Sequence, residues 1–376
     1  MGIYEYNVKI LLPKLQERIR TAEYSEVNRS LLLEFANCLF AEGIRPLRVL
    51  KYLSILNNIA EGVEKDFPDM KESDVISLVA KIEMSDLADS TKMGKKIVLR
   101  RFIKWLLGEE VASKIKITKK MNSHKLPDSL ITETEIKNMI ETADHPRDKA
   151  LIAVLYDSGC RIGEIGGLQV KHVSFDQYGA VLAVHGKTGS RRVRIMFSAS
   201  YISAWLDIHP QKNKQDAFVF VKINGEDRDK QMQYHAIRRI VEKTAEKAGI
   251  EKRIHPHLFR HSRSTELAQY LTEAQMEEHL GWVQGSNMPR TYIHLSGKQI
   301  DDAILGMYGK KKKEEMLPEL TSRTCPRCEK DNGPTSKFCA RCGLPLDIQT
   351  MQEIQSYDED FRKVYELFRK MKEGGT

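Results

Sequence analysis

Apolar residues recur at helical spacing throughout the first part of the chain. One run repeats every three or four residues and contains Leu47, Val49, Leu50, Leu53, Leu56, Ile59 and Ala60. A second run lies between Ser90 and Leu107, with Met93, Ile97, Trp105 and Leu106 at apolar positions. This spacing places the apolar side chains on one face of each helix. Residues 1–111 are therefore predicted to form a helical domain.

Basic residues follow a fourfold repeat along the second of these helices. The repeat consists of Lys92, Lys96, Arg100 and Lys104. Residues three or four apart share a helix face, so the repeat predicts a stripe that can lie along phosphates or can simply face solvent. The five lysines between Ala112 and Leu126, without an acidic residue among them, predict a basic linker over residues 112–130.

The hydrophobic period changes in the middle of the chain. A capping-box pattern, Thr132 to Glu135, precedes a first helix, and a second helix runs from Arg147 to near Gly159. Alternation with period two then predicts three short strands at Val170–Phe175, Ala180–His185 and Arg191–Met196. Helices follow at Ser198–Ile208, Lys230–Ala248, Leu258–Tyr270, Glu273–Leu280 and Lys298–Met307. Residues 131–309 are thus expected to form a helix-rich α+β domain with a small three-stranded sheet.

Length and composition limit the class of protein. The 376 residues suggest two or three domains, and 41% hydrophobic residues suffice for a core in each. The 60 Lys and Arg residues against 52 Asp and Glu residues give a formal net charge of +8. No apolar run approaches the roughly 18 residues of a membrane span, and the first residues lack the pattern of a signal peptide. We expect a soluble protein of the cytoplasm.

Four of the six cysteines lie close together near the C-terminus. Cys325 and Cys328 form one C-x2-C pair, and Cys339 and Cys342 form a second pair ten residues later. Four thiolates at this spacing favour one structural Zn²⁺ per chain in a closed tetrahedral site, with disulfide pairing as the alternative. The predicted order is a linker at residues 310–320, a zinc ribbon at 321–346 and an amphipathic C-terminal helix at 347–376. The ribbon is expected to contact either DNA or another protomer.

Five segments of the middle domain carry residues suited to phosphate chemistry. Arg161 follows a glycine turn at a helix end, and Lys187 occupies the turn between two predicted strands. His257 and Arg260 share a helix face, and Trp282 and Tyr292 follow them in the chain. Each residue alone has an ordinary structural explanation, such as surface exposure or core packing. Their order along the chain is the more specific signal.

This order resembles the tyrosine recombinases, also called the phage integrase family. The resemblance covers residues 20–310 and rests on the segment Asp157–Ile165, on Pro256–His261, on Leu280-Gly281-Trp282 and on Tyr292. Trp282 stands where the family usually has histidine, so His279 is a second candidate for that role. The segment between Trp282 and Tyr292 resembles that of archaeal integrases. The resemblance implies a mainly α protein in which a helical core-binding domain clamps DNA for the catalytic domain.

The resemblance also implies roles for single residues. Tyr292 would attack a DNA phosphate and form a 3′-phosphotyrosyl bond, while Arg161 and Arg260 would bind its non-bridging oxygens. Lys187 would protonate the departing 5′ oxygen. His257 would exchange the tyrosine proton or bind the phosphoryl oxygen, and Trp282 would bind that oxygen or pack the site. Two further residues, Glu164 and His261, would orient the arginines.

The implied function is site-specific DNA recombination, with no metal or nucleotide required for the chemistry. The implied partners are double-stranded DNA and further copies of the chain, as a dimer or tetramer on paired sites, and the implied location is the nucleoid. The residues expected to contact DNA are Lys92, Lys96, Arg100, Lys104, Lys114, Lys116, Lys119 and Lys120. The alternatives are a type IB topoisomerase, which would need no synapsis, and a non-catalytic DNA-binding protein of the same fold.

Overall fold

The computed structural model describes residues 3, 5–117, 130–186, 189–293, 305, 308 and 318–357. The chain divides into two compact units, Met1–His124 and Lys125–Thr376. Several predictions concern residues outside the described ranges: Lys119, Lys120, Lys187, the helix Lys298–Met307 except for Leu305, most of the linker 310–320 and residues 358–376. Within the described ranges, no helix has the length and apolar content that a membrane crossing requires.

The first unit is helical, as the apolar spacing predicts. Its helices are α1 (Glu5–Arg20), α2 (Glu26–Ala41), α3 (Pro46–Ala60), α4 (Glu72–Met84), α5 (Asp89–Leu107) and α6 (Glu109–Ser113). Ser25 caps α2 by accepting a hydrogen bond from Asn28 N, and Pro46 begins α3 at a position that needs no amide donor. The helices enclose one core, in which Phe102 contacts Phe35 and Phe67 edge-on at centroid distances of 5.3 and 5.0 Å.

The predicted basic stripe on α5 does not lie on one exposed face. The prediction that Lys96 lies on an exposed stripe is wrong, because its side chain is only 7% exposed and its ammonium pairs with the carboxylate of Glu83. A fourfold repeat drifts by about 40° per step around a helix, which turns this position toward the core. Lys92 donates to the backbone oxygen of Glu83 at 2.8 Å. Arg100 and Lys104, which remain more exposed, both pair with Glu109, at 3.3 and 2.5 Å.

The predicted linker begins later in the chain than residue 112. Ala112 and Ile115 are fully buried in the core of the first unit, so the packed chain continues at least to Ile115. Lys114 pairs with Glu72 at 2.9 Å, whereas Lys116 is exposed. Residues 112–115 therefore form a short packed tail of the first unit.

The second unit combines helices with a small sheet, as predicted. Its helices are α7 (Glu133–Thr142), α8 (Pro146–Ser158), α9 (Ile162–Gly166), α10 (Ser198–Asp207), α11 (Tyr234–Lys247), α12 (Pro256–Leu267), α13 (Glu273–Leu280) and α14 (Met288–Ile293). The sheet contains β1 (Val173–Asp176), β2 (Gly179–Gly186) and β3 (Gly189–Ile195) in antiparallel order β1-β2-β3. Every residue of α8 from Ala150 to Ser158 is buried, so this helix forms the centre of the unit.

The element boundaries differ from the predicted ones in a few places. Val170–His172 is a 3₁₀ turn and not the start of β1. Helix α11 begins at Tyr234 instead of Lys230, and α12 ends at Leu267 instead of Tyr270. The short helix α14, which carries Tyr292, was not predicted. Six residues are too few to show a helical period in sequence.

A small ribbon follows in the same unit. Two short antiparallel strands, β4 (Arg323–Thr324) and β5 (Asp331–Asn332), flank the first cysteine pair, and residues 348–357 are helical. The ribbon packs against α10, where the hydroxyl of Tyr201 lies 2.7 Å from Thr335 Oγ1 and accepts from Thr335 N at 3.1 Å. A Cβ atom on Gly333 would lie 2.4 Å from the Tyr201 ring, so only glycine permits this contact.

Candidate active site

Arg161 lies directly after the C-terminal end of α8. Gly159 ends that helix with a left-handed backbone (φ 59°), and Arg161 is the residue before α9. The Arg161 guanidinium donates from Nη1 to Glu164 Oε1 at 3.0 Å and from Nη2 to the carbonyl oxygen of Gly281 at 2.9 Å. Glu164 Oε2 also accepts from the backbone N of Arg161 at 2.9 Å. These bonds fix the direction of the guanidinium while leaving 35% of the side chain exposed.

Arg260 is buried on α12 and is held by two backbone carbonyl groups. Its Nη1 donates to the oxygen of Gly159 at 3.0 Å, and its Nη2 donates to the oxygen of Leu280 at 2.7 Å. Burial, and after it the positive charge of Arg161, lower the pKa of Arg260 to about 10. Two guanidinium groups that destabilise each other electrostatically form a site with affinity for an anion.

The hydroxyl of Tyr292 contacts a histidine of α12. Tyr292 Oη lies 2.7 Å from His261 Nδ1, and the imidazole rings of His261 and His257 meet edge-on at 4.4 Å. The sequence predicted that His261 would order the arginines, and the structure shows in addition a direct contact of His261 with the tyrosine. Residues 257 and 261 are one helical turn apart, so both rings project from the same face of α12.

Trp282 packs between the tyrosine and an arginine. Its ring stacks on that of Tyr292 with centroids 5.4 Å apart and an interplanar angle of 12°, and the Arg260 guanidinium carbon lies 5.5 Å from the indole centroid. Burial raises the pKa of the Tyr292 phenol, and the charge of Arg260 partly offsets that effect. The phenol is therefore protonated at neutral pH and needs a proton acceptor before it can attack.

His279, the second candidate for the role of Trp282, is engaged elsewhere. Its Nε2 lies 3.1 Å from the carbonyl oxygen of Ser158, to which the neutral ring donates. Burial lowers the pKa of His279 to about 4, which keeps the ring neutral. The geometry gives His279 a structural contact with the end of α8.

Arg191 is a buried arginine of β3 that belongs to none of the sequence motifs. Its Nη1 and Nη2 donate to the two carboxylate oxygens of Glu164 at 3.0 and 2.9 Å, and its Nε donates to the carbonyl oxygen of His279 at 2.8 Å. Burial alone would raise the pKa of Glu164, but hydrogen bonds and charge from Arg191, with those from Arg161, hold that pKa below its usual range. The sequence does contain a pattern that indicates burial of Arg191, because this residue alternates with the apolar Val193 and Ile195 on one face of the strand.

Lys187 lies outside the described residues. The antiparallel ladder that leads to it is described up to the pair Gly186 and Gly189. Its assignment as the general acid therefore stays a prediction from the sequence.

The four cysteines of the ribbon form a compact cluster. Their Sγ atoms all lie within 4.8 Å of one another, and the pairs Cys325–Cys342 and Cys328–Cys339 are 3.5 Å apart, with no disulfide among them. Tetrahedral coordination at a metal–sulfur distance of about 2.3 Å separates neighbouring sulfur atoms by about 3.8 Å. The cluster therefore has the dimensions of a tetrahedral metal site.

Comparison with known proteins agrees with these features. Residues 129–299 match the model of the phage integrase family. The tyrosine recombinase XerA of Pyrococcus horikoshii is 26% identical over 278 residues, which cover 74% of this chain and 93% of the relative. The tyrosine recombinase XerC of Actinobacillus pleuropneumoniae serotype 7 is 24% identical over 255 residues, covering 65% and 80%.

Solved structures share the fold. A lambda integrase dimer bound to a COC′ core site aligns with a TM-score of 0.56 at 14% identity, covering 78% of this chain and 85% of that one. The XerH recombinase in a pre-cleavage complex with its difH substrate aligns with a TM-score of 0.54 at 18% identity, covering 79% and 95%. The ordered set Arg161, His257, Arg260, Trp282 and Tyr292 lies within the matched segment, so residues 129–299 form a domain of the phage integrase family, and the chain is similar over most of its length to tyrosine recombinases.

Proposed function

We propose that this protein cuts and rejoins duplex DNA at specific sites through a covalent 3′-phosphotyrosyl intermediate. The observation that carries the proposal is the placement of the Tyr292 hydroxyl against His261, beside two arginines that are anchored to backbone carbonyls. This arrangement offers a nucleophile, a proton acceptor and cations for a phosphate. A non-catalytic DNA-binding protein would need cations for the phosphates but neither a nucleophile nor a proton acceptor.

In the proposed reaction the oxygen of Tyr292 attacks the phosphorus and the bond from phosphorus to the 5′ oxygen breaks. The phenol proton passes to Nδ1 of His261, which already contacts the hydroxyl, and His257, whose ring meets that of His261 edge-on, binds a phosphoryl oxygen. Lys187 supplies the proton for the departing 5′ oxygen. The charges balance because one proton leaves the nucleophile and another joins the leaving group.

Arg161 and Arg260 are proposed to bind the non-bridging oxygens. A planar guanidinium matches the geometry of a phosphate with two parallel hydrogen bonds, and each arginine here already uses backbone carbonyls to fix its plane. Trp282 is proposed to pack Tyr292 against this site, since its ring stacks on the tyrosine. The chemistry requires no metal ion or nucleotide.

The proposal includes one structural Zn²⁺ per chain, held by Cys325, Cys328, Cys339 and Cys342. Four thiolates leave no open coordination position, so the metal would stabilise the ribbon and take no part in catalysis. The partners proposed are double-stranded DNA and other copies of the chain, as a dimer or tetramer on paired sites. Of the basic residues expected to contact DNA, only the buried Lys96 is withdrawn, and Lys104, Lys114 and Lys116 are the exposed ones among those that the structure describes.

The target sequence can be found by covalent capture. The protein is incubated with a library of nicked duplexes of randomised sequence, and strands that stay attached to denatured protein are recovered and sequenced. Wild-type protein is expected to enrich a defined site, while Tyr292→Phe should give no adduct and retain duplex binding, because only the hydroxyl is removed. An adduct that persists in Tyr292→Phe, or no enrichment by the wild type, would contradict the proposal.

A further inference from the structure

The buried pair of Glu164 and Arg191 lies directly beneath Arg161. Glu164 accepts four hydrogen bonds: two from Arg161, through its backbone N and Nη1, and two from Arg191, through Nη1 and Nη2. The side chains of Glu164 and Arg191 are only 3% and 5% exposed. Water therefore screens this carboxylate weakly, and its charge acts strongly on both arginines.

The surrounding backbone is shaped around Arg191. A Cβ atom on Gly281 would lie 2.5 Å from Arg191 Nη1, and a Cβ atom on Gly186 would lie 2.4 Å from Glu164 Oε1. Gly281 also has a positive φ of 61°, a conformation that favours glycine. Arg191 Nε donates a further hydrogen bond to the carbonyl oxygen of His279, so Glu164 and His279 together hold the guanidinium in place.

The negative charge of Glu164 affects how strongly Arg161 can bind a phosphate. A carboxylate that lies 3.0 Å from Arg161 competes with a DNA phosphate for the same guanidinium. Arg191 supplies the positive charge that balances Glu164, so that Glu164 can orient Arg161 without neutralising it. A buried ion pair adds little to stability compared with a well-packed apolar pair, which leaves orientation and charge as its main contributions.

Arg191 also joins this network to the hairpin that leads to Lys187. It faces Val184 across the β2–β3 ladder, close to the last described pair, Gly186 and Gly189. The same side chain therefore connects the base of the hairpin with Glu164 and, through it, with Arg161.

We propose that Arg191 is a positioning residue of the recombinase: it balances the charge of Glu164 and thereby leaves Arg161 available to the scissile phosphate. This inference rests on the proposed function. It predicts that the effect of Arg191 on the reaction depends on the charge of the phosphate, which a purely structural role would not.

The test uses the full chain and the nicked duplex selected by covalent capture. Single-turnover rates of adduct formation are compared on the ordinary phosphate and on a methylphosphonate at the same position, where one charged oxygen is replaced by a methyl group. Arg191→Met is expected to lower the rate by about 10²-fold on the phosphate, with a loss about tenfold smaller on the neutral methylphosphonate. The matched control is Arg192→Met, an exposed neighbour on the other face of β3, which should stay within about twofold of wild type.

A second variant separates charge from folding. In Arg191→Met/Glu164→Gln the uncompensated carboxylate is gone, so the rate should recover by about tenfold relative to Arg191→Met. If thermal melting shows Arg191→Met to be unfolded, the rate of the double variant is compared with that of Glu164→Gln alone and should lie within about tenfold of it.

Equal losses on the two phosphate types, or a folded double variant that shows no recovery, would overturn the inference. Failure of the proposed function looks different: wild-type protein then forms no adduct with any member of the library, and the role of Arg191 falls with it.

Discussion

The hydroxyl oxygen of Tyr292 lies 2.7 Å from Nδ1 of His261. Because burial raises the pKa of this phenol, attack near neutral pH depends on a base at hydrogen-bond distance. His261 is the described residue that meets this requirement by a direct contact. The family resemblance alone directed attention to His257, whose ring contacts that of His261 edge-on at 4.4 Å.

Replacing His261 with alanine is expected to slow adduct formation by about 10²-fold near neutral pH. The rate should then rise with pH, since the raised pKa of Tyr292 keeps the phenol protonated until hydroxide can remove the proton. Single-turnover rates across a pH series provide the measurement, with His257→Ala as the comparison. A full loss in His257→Ala together with an unchanged rate in His261→Ala would assign the proton acceptor to His257.

Changing either Arg161 or Arg260 to lysine should slow cleavage by about 10²-fold, because a point charge replaces a planar fork at the phosphorane. In Arg260→Lys a single ammonium also has to replace a guanidinium that reaches both Gly159 and Leu280. Affinity for duplex DNA, measured by titration at fixed salt, should fall much less. Cleavage within a few-fold of wild type would show that the arginines do not bind the reacting phosphate.

Protein stability should depend on pH through His279. Its pKa is about 4 in the folded protein, against about 6.5 in an unfolded chain. The unfolded chain binds the proton more readily, so the contribution to stability is complete above about pH 6.5 and is lost as pH falls toward 4, by up to about 1.4 kcal/mol per unit.

The variant His279→Gln keeps an N–H donor for the carbonyl of Ser158 and has no proton to gain. Urea unfolding of the full chain at about pH 5 and about pH 7 should therefore show a smaller difference for the variant than for wild type. An identical difference in the two proteins would rule out His279 as the titrating group.

One zinc ion should be released per chain when thiol reagents attack the four cysteines, as a chromogenic chelator would record. Metal removal with a chelator should leave the covalent step intact on the selected duplex, because no step of the proposed reaction uses a metal ion and the four cysteines are not part of the proposed site. Loss of adduct formation that added Mg²⁺ restores would contradict the metal-free mechanism.

The ribbon contact offers a control for this experiment. Tyr201→Phe removes the bonds to Thr335, which should lower stability by about 1–2 kcal/mol while the zinc content stays at one per chain.

The role of Lys187 can be tested through the leaving group. A substrate with a 5′-bridging sulfur leaves as a thiolate that needs no proton, since a thiol pKa is about 8.5. Lys187→Ala should therefore slow cleavage of the ordinary substrate by about 10²-fold or more and leave the sulfur substrate nearly unaffected. Equal losses on both substrates would assign Lys187 to phosphate binding instead of proton transfer.

Periodicity was sufficient for the long elements. The apolar spacing predicted the helices of the first unit, and alternation predicted the three strands, because both patterns follow from burial on one face. Periodicity failed for Lys96, which is buried. Each step of a fourfold repeat rotates by about 40° around the helix, and this rotation turns the position toward the core. Periodicity also missed α14, where tertiary packing of Tyr292 and Trp282 stabilises a helix too short to be recognised.

The order of motifs indicated residues that the structure brings close together, but not the contacts between them. Whether His261 faces the arginines or the tyrosine depends on how α14 packs against α12, which local sequence does not specify. Arg191 lacked a motif, and its role emerges only when β3 is placed beside Glu164. Long-range placement of buried charges is the part that a single sequence did not provide.

The carbonyl groups that hold Arg161 and Arg260 come from the ends of α8 and α13, where the helix dipole concentrates partial negative charge. These hydrogen bonds are intramolecular, so the fold itself orients both guanidinium groups. The free-energy cost of organising the phosphate site is therefore met during folding and not during the reaction. Substrate selection and chemical rate then depend on different parts of the protein. Exposed side chains elsewhere on the surface can be exchanged without altering this site, whereas exchange of Gly159 or Gly281 would strain it, because both helix ends need a left-handed backbone.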